Sequence, residues 1–564
     1  FYFREMIDSP IKHSLIKSPV FIVATLTIVS LLPFITKAFN MDEPLFVWAA
    51  RQIQLNPLDF YGFKVNWYGF EMDMFSVNQN PPFVSYYIAL ITGLFGWNEP
   101  VIHFFFLIPA LGLSLGTYFL ARSFCSLPHL AAILTVFSPV FLISSASVMS
   151  DTTMLAFYVW AIFLWLEGLK RGSLPYLFLS AIFIALSTLT KYFGATLIPL
   201  LLVFTLVEKK FDYRICILFI PELFVVGYEW LTYSLYNQSL ISDAAAYAAG
   251  SWVKPSQFLD KTLTGLSFAG GCLVGVIFFA PLLWPRRTFF FMGAILLTLS
   301  LSVLLSVNTI GSIQLYDELG SSVFDSGIRW GLVFQLTLFI SAGMHILILA
   351  ITDLMRHRNA TSMLLFLWIM GAFIFSSYIN WTTSARNILP MLPAAAILVM
   401  RRLNYLNEES NTFFSRKAIW PLFPAALISI LVTWADVSLA NSQRSAANTM
   451  DVRFKAYQYP VKFQGHWGFQ YYMEGMGYEA VDFRKEHSEG DIMIIPSNQS
   501  NTIWPQKNQG RWPQGDRFIP IEKFQEQTLR WLSVMRLGGA GFYSSQAGPL
   551  PFAMGEVPPE EYIV

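Results

Sequence analysis

Along this chain the apolar positions neither alternate nor trace a narrow stripe. They run on continuously and are broken by charged residues or by Pro and Gly. A helix needs about 20 apolar residues to cross a bilayer. Windows near that length fall at 18–37, 101–121, 129–149, 152–169, 174–190, 193–207, 214–234, 263–284, 288–307, 330–352, 361–379, 387–400 and 418–437. The pattern predicts about thirteen transmembrane helices, 193–207 and 387–400 being the shortest. A further apolar helix, Phe83 to Phe95, is too brief to span and is expected at the interface. Thr36-Lys37-Ala38-Phe39 follows the first window and is not a small-residue cleavage site, so that window reads as a retained anchor.

Beyond about residue 438 the pattern changes. Apolar runs shorten to strand length, as in Asp491 to Pro496, and charges return at soluble density. Val461 to Trp467, Gly468 to Gly475 and Tyr478 to Phe483 predict strand, helix and strand. The expected architecture is an all-α polytopic membrane domain over 1–437, with an outer loop at 40–100, and a soluble extracytoplasmic α/β domain over 438–564.

Composition agrees: 55% of the 564 residues are hydrophobic and 13% charged, where soluble domains carry about 25% charged. A net charge of +1 gives no reason to expect nucleic acid. Cys125, Cys216 and Cys272 lie in or beside apolar spans and suggest no disulfide framework.

Lys and Arg set the orientation, because cytoplasmic loops retain them. Alternate loops hold about seventeen against eight, which places the N-terminus in the cytoplasm and, with an odd span count, the C-terminal region outside. The carboxylates sort to the outer side, among them Asp42, Glu43, Asp151, Asp317, Glu318 and Asp325. Elaborated acidic outer loops and tight inner turns place the chemistry at the outer face of a plasma (inner) membrane.

Asp42-Glu43-Pro44 follows the first span. Asp42 suits a helix N-cap, and a partly desolvated carboxylate here also suits taking a proton from an acceptor hydroxyl. Asp151 sits in a spacer-free turn at the same level, as a cap for the next helix, a site residue, or both. Lys191 and Arg386 break the charge rule at the outer side; they are snorkelling anchors or donors to an anionic lipid headgroup. His103 is either packed or a phosphate donor. Glu222 and Glu229 share a helix face. Glu229, nearer the outer end, is expected to line the cavity of Asp42, and Glu222 to serve as a structural partner.

In order, Asp42-Glu43-Pro44, Asn80-Pro81-Pro82 and Leu94-Phe95-Gly96-Trp97-Asn98-Glu99-Pro100 resemble the first outer loop of C-superfamily membrane glycosyltransferases. The closer likeness is to bacterial relatives of protein O-mannosyltransferases and the lipid A aminoarabinose transferase. Val148 to Asp151, Leu189 to Tyr192 and Arg386 to Pro393 agree. The resemblance covers roughly 18–437. It implies inverting transfer of a sugar from a polyprenyl-phosphate donor, among membrane lipids, to a protein, glycan or lipid acceptor. It also implies Asp42 as general base, Glu43 assisting, Asp151 orienting, and Lys191, Tyr192, Arg386 and His103 around the donor phosphate. Asn80 stands where many relatives have Lys, and His103 where they tend to have Arg, so the donor headgroup is expected to be held differently. No ligand signature points to a metal, although Asp42, Glu43, Asp151 and His103 leave a divalent ion open. A transporter of lipid-linked glycans is the alternative; it should carry inverted repeats and interrupted midplane helices, and no internal repeat is visible. A catalytically dead relative acting as a binding subunit is the third reading.

Overall fold

The computed structural model describes residues 18–210, 212–249, 255–307, 309–310, 313–315, 329–410, 417–485, 490–500, 502–503 and 519–564. Asp317, Glu318 and Asp325, read from the sequence as outer carboxylates, and basic residues such as Lys12, Lys17 and Arg416 lie outside the described residues.

Among the described residues seven helices are long and apolar enough to cross a membrane: Glu99–Ala121, Ser150–Arg171, Tyr213–Tyr236, Arg286–Ser306, Trp330–His357, Ala360–Ile379 and Lys417–Phe454. Two bent pairs, Pro128–Val136 with Pro139–Ser145 (65°) and Phe258–Cys272 with Gly275–Leu283 (85°), make nine if each counts as one span. A chain built this way is a multi-pass membrane protein. The sequence windows, about thirteen in number, fall largely on helix, but length supports only seven to nine spans. The difference lies in Pro19–Phe34, Leu174–Thr190 and Tyr192–Val207, which are shorter. It lies also in 387–400, where a helical turn and a tight Leu389–Met391 turn precede the helix Leu392–Ser410.

Close backbone approach holds part of this bundle together. A Cβ on Gly270 would lie 1.9 Å from the Phe339 carbonyl oxygen, and one on Gly343 would lie 2.2 Å from that of Leu266. Helices without a hydrophobic drive to associate in lipid gain from such small-residue contacts.

The helix Leu422–Phe454 has 33 residues, about 50 Å at 1.5 Å per residue, more than the ~30 Å hydrocarbon core. Its later part therefore leaves the bilayer. There Ala440, Ala446, Ala447, Met450 and Phe454 pack against Phe463, Phe469, Ile492, Ile494 and Tyr562. The expected boundary at 437/438 falls inside this helix.

Phe463 and Ile492 belong to a five-stranded sheet in the order Glu479–Ala480, Val461–Phe463, Ile492–Pro496, Glu560–Ile563, Lys523–Glu526. The first three strands are parallel, with Phe463 opposite Ile494, and the last two pairings are antiparallel. The helix Trp467–Gly475 joins two parallel strands, the strand–helix–strand order expected there. A later segment returns to the membrane helices: Ala385 N donates to Phe542 O at 2.8 Å, Ser545 N to Thr383 O at 2.8 Å, and Met554 N to Gln335 Oε1 at 2.7 Å.

Candidate active site

A cavity of about 1620 Å³ lies between the ends of the membrane helices and this C-terminal region. Asp42, Asn80, Asp151, Lys191, Tyr192 and Arg386 line one part of it, and His466, Trp467, Gln499 and Tyr543 another. Phe193, Val225, Phe375 and Glu222 line it as well.

Asp42 precedes the helix Glu43–Leu55, which Pro44 starts well, but its side chain makes no capping hydrogen bond. Met41 takes a φ of +51°, a left-handed conformation costing an L-residue about 1–2 kcal/mol. The Asp42 carboxylate meets Arg386 instead, with Nη2 2.8 Å from Oδ2. Arg386 is further placed by Met149, whose sulfur lies 3.4 Å from Nη1, and by the Tyr543 ring, whose centroid is 5.7 Å from the guanidinium carbon.

Asp151 is not the cap of its helix either. The helix Ser150–Arg171 begins one residue earlier, after Met149, and the buried Asp151 carboxylate pairs with Lys191 at 2.7 Å. Lys191 ends the helix Leu174–Thr190 in extended conformation and also donates to Asn387 Oδ1 at 3.3 Å. Since Asn387 follows Arg386 in the chain, the two ion pairs are joined. Both cations keep donors beyond these bonds, and both face the cavity.

Three expected site residues lie elsewhere. Glu43 is sealed from solvent: Oε1 accepts from Val148 N at 3.0 Å and Oε2 from Asn40 N at 2.7 Å, while Lys37 lies 3.5 Å away. Glu43 is the first residue of its helix and points into the protein, while Asp42, still in the turn before it, faces the cavity. His103 is buried and stacked on Phe39, with centroids 5.7 Å apart, and does not line the cavity, which leaves the packed reading. Glu222 lines the cavity and Glu229 does not; Glu229 Oε2 accepts from Ile241 N at 3.5 Å. Asn80 does line it, its amide donating to Asn78 Oδ1 at 2.9 Å.

Sequence reasoning missed the opposite wall. His466, Trp467, Gln499 and Tyr543 come from a stretch in which no residue spacing marks chemistry. His466 stacks on Trp67 at 4.6 Å, and its burial pulls its pKa down to about 4, so it is neutral near pH 7. The reading also missed Asp436, an acid within an apolar span, which is a signal the sequence does carry. Asp436 lies 2.8 Å from Lys37 and accepts from the Tyr543 hydroxyl at 2.8 Å.

Among the described residues no group of three or more His, Cys, Asp or Glu side chains could hold a metal ion. Asp42 and Asp151 each face a basic side chain instead, so the donor set does not fit a divalent cation.

Residues 79–228 match the family described as dolichyl-phosphate-mannose-protein mannosyltransferase. The matched stretch holds Asn80, Asp151, Lys191 and Tyr192 but neither Asp42 nor Arg386. The likeness to protein O-mannosyltransferases read from the motifs is met over this stretch. Similar solved structures include Archaeoglobus fulgidus oligosaccharyltransferase AglB in complex with an inhibitory peptide and a dolichol-phosphate, at 14% identity over 82% of this chain and 64% of that one, TM-score 0.48. An oligosaccharyltransferase of the same organism in complex with Zn and sulfate matches at 14% identity over 82% of this chain and 62% of that one, TM-score 0.47. ArnT from Cupriavidus metallidurans bound to undecaprenyl phosphate matches at 15% identity over 81% and 84%, TM-score 0.39. The matched part spans under two thirds of the archaeal chains. No curated protein matches the chain in sequence.

Proposed function

We propose that this protein is an inverting membrane glycosyltransferase. It moves a sugar from a polyprenyl-phosphate donor to a protein, glycan or lipid acceptor on the outer face of the plasma (inner) membrane. The membrane domain is 1–437 and the extracytoplasmic domain 438–564, with the N-terminus in the cytoplasm. The observation that carries this reading is the pair of linked ion pairs, Asp42–Arg386 and Asp151–Lys191, facing one cavity. The apolar residues of its lining, among them Phe193, Val225 and Phe375, suit a lipid tail.

In this reaction Asp42 takes the proton of the acceptor hydroxyl while the acceptor's own oxygen bonds to the anomeric carbon. The bond from that carbon to the phosphate oxygen breaks, and its electron pair leaves with the polyprenyl phosphate. Negative charge builds on the departing phosphate in a poorly solvated place, where Arg386 and Lys191 stabilise it. Asp151 sets the position of Lys191, and Tyr192 borders the phosphate. A transporter would place its helix breaks at its binding site. The two sharp bends, at Phe137–Ser138 and Leu273–Val274, do not line this cavity.

The test follows label from a polyprenyl-phosphate sugar into acceptor by the purified protein. Asp42→Asn should abolish transfer while undecaprenyl phosphate still binds, and near-normal transfer would remove Asp42 as the base.

A further inference from the structure

The two walls of the cavity differ in kind. The membrane-side wall carries the charges; among the described residues, the C-terminal wall presents no Lys, Arg, Asp or Glu to the cavity. Within that wall Gln499 is 4% exposed, and neither its amide nitrogen nor its amide oxygen has a hydrogen-bond partner. Its neighbours are not like this. Asn498 donates to Met535 O at 3.2 Å and Glu560 Oε1 at 3.0 Å and accepts from Leu537 N at 3.3 Å. Buried polar groups are normally satisfied, and Gln499 is the only buried side-chain amide among the described residues left with both atoms unpaired.

The surroundings fit a ligand at this spot. Gly465, at φ +81°, leaves room for the amide, since a Cβ there would lie 2.3 Å from Gln499 Oε1. His466 is fixed by stacking on Trp67 and by a 2.9 Å hydrogen bond between its Nε2 and Ser500 Oγ. Trp67 and Trp467 border the same cavity. An amide offers a donor and an acceptor side by side, which matches neighbouring sugar hydroxyls, each both donor and acceptor. Indole faces cover the apolar C–H faces of a ring. A phosphate would want the cations of the other wall.

We infer that Gln499, with Trp67, His466 and Trp467, forms a subsite that binds an uncharged sugar ring through its hydroxyls. This rests on the glycosyltransferase reading and deepens it, since the ring belongs either to the donor or to a saccharide acceptor.

The test uses the purified full-length protein in nanodiscs and a panel of methyl glycosides of hexoses and pentoses, with binding read by saturation-transfer NMR. At least one glycoside binds the wild type and weakens ten-fold or more in Gln499→Leu, while undecaprenyl phosphate binds both equally. The thermal midpoint without ligand stays level or rises, because no internal hydrogen bond is lost. Where Leu lowers that midpoint, Gln499→Asn, which shortens the amide and keeps its groups, is read against the same ten-fold criterion. A glycoside displaced by undecaprenyl-phosphomannose but not by undecaprenyl phosphate occupies the donor sugar's place; one displaced by neither occupies the acceptor's. Absence of any glycoside binding, or equal binding by wild type and variant, overturns the subsite. Failure of the wild type to bind undecaprenyl phosphate would instead sink the polyprenyl donor and leave the subsite standing.

Discussion

Lys37 Nζ lies 2.8 Å from Asp436 Oδ2, with both side chains sealed from solvent, and ties the segment after the first apolar helix to the long helix Leu422–Phe454. Ser147 Oγ accepts from the same ammonium at 2.7 Å, and Glu43 lies 3.5 Å from it. Lys37→Met leaves two buried carboxylates facing no cation. Removing one partner of a buried pair costs about 3–5 kcal/mol, so the variant should melt well below the wild type or fail to accumulate. An unchanged Tm would show that the cluster does not carry stability.

Arg386 is the cation nearest the candidate base. Charge-assisted hydrogen bonds contribute about 1.5–3 kcal/mol, so Arg386→Ala should weaken undecaprenyl phosphate binding by roughly 10- to 100-fold. Affinity for a saccharide acceptor should hold. Titration of the lipid phosphate into nanodisc-embedded variant measures this, and equal affinity would take Arg386 out of the phosphate site.

Gly343 separates close packing from helix propensity. A Gly→Ala change inside an exposed helix stabilises by about 1 kcal/mol, and Gly293, with nothing within 4 Å of an added Cβ, should behave neutrally or gain slightly. Gly343→Ala should lose stability, because its Cβ would meet the Leu266 carbonyl oxygen at 2.2 Å. Thermal melts of the two variants side by side decide it; matching Tm values would mean that the helices part without penalty.

Glu560 gives a pH signature. Burial pushes its pKa from 4.5 up to about 7, against the opposing pull of Arg536 and Asn498. An acid whose folded pKa is raised contributes stability that is full below pH 4.5 and is lost as pH rises toward 7. His466 runs the other way. Its pKa falls from 6.5 to about 4 through burial, so its contribution is lost as pH drops through that window. The wild-type profile sums both, and the measurement is therefore a difference. Glu560→Gln should gain stability relative to wild type as pH rises from 4.5 to 7, and a flat difference curve would place the Glu560 pKa in the ordinary range.

Much of this molecule was legible in the sequence because its signals are local. Apolar run length marked the membrane helices, and shortened apolar runs with returning charges marked the strands and helix between Val461 and Pro496. Acids and cations at span ends singled out Asp42, Asp151, Lys191 and Arg386, which the structure brings to one cavity. Only the tertiary structure decided how they pair, since both candidate caps turned out to aim their carboxylates at basic residues far along the chain. It also separated Asp42 from Glu43: the turn residue meets Arg386 at the cavity, and the first helical residue is sealed against Lys37 and the backbone of Asn40 and Val148. Run length did not show the breaks that bend two apolar windows, one just before Pro139 and one at Leu273–Val274. The neutral wall of His466, Trp467, Gln499 and Tyr543 exists only because the chain returns to the membrane helices after leaving them. No local pattern encodes that return: its hydrogen bonds link residues more than a hundred positions apart.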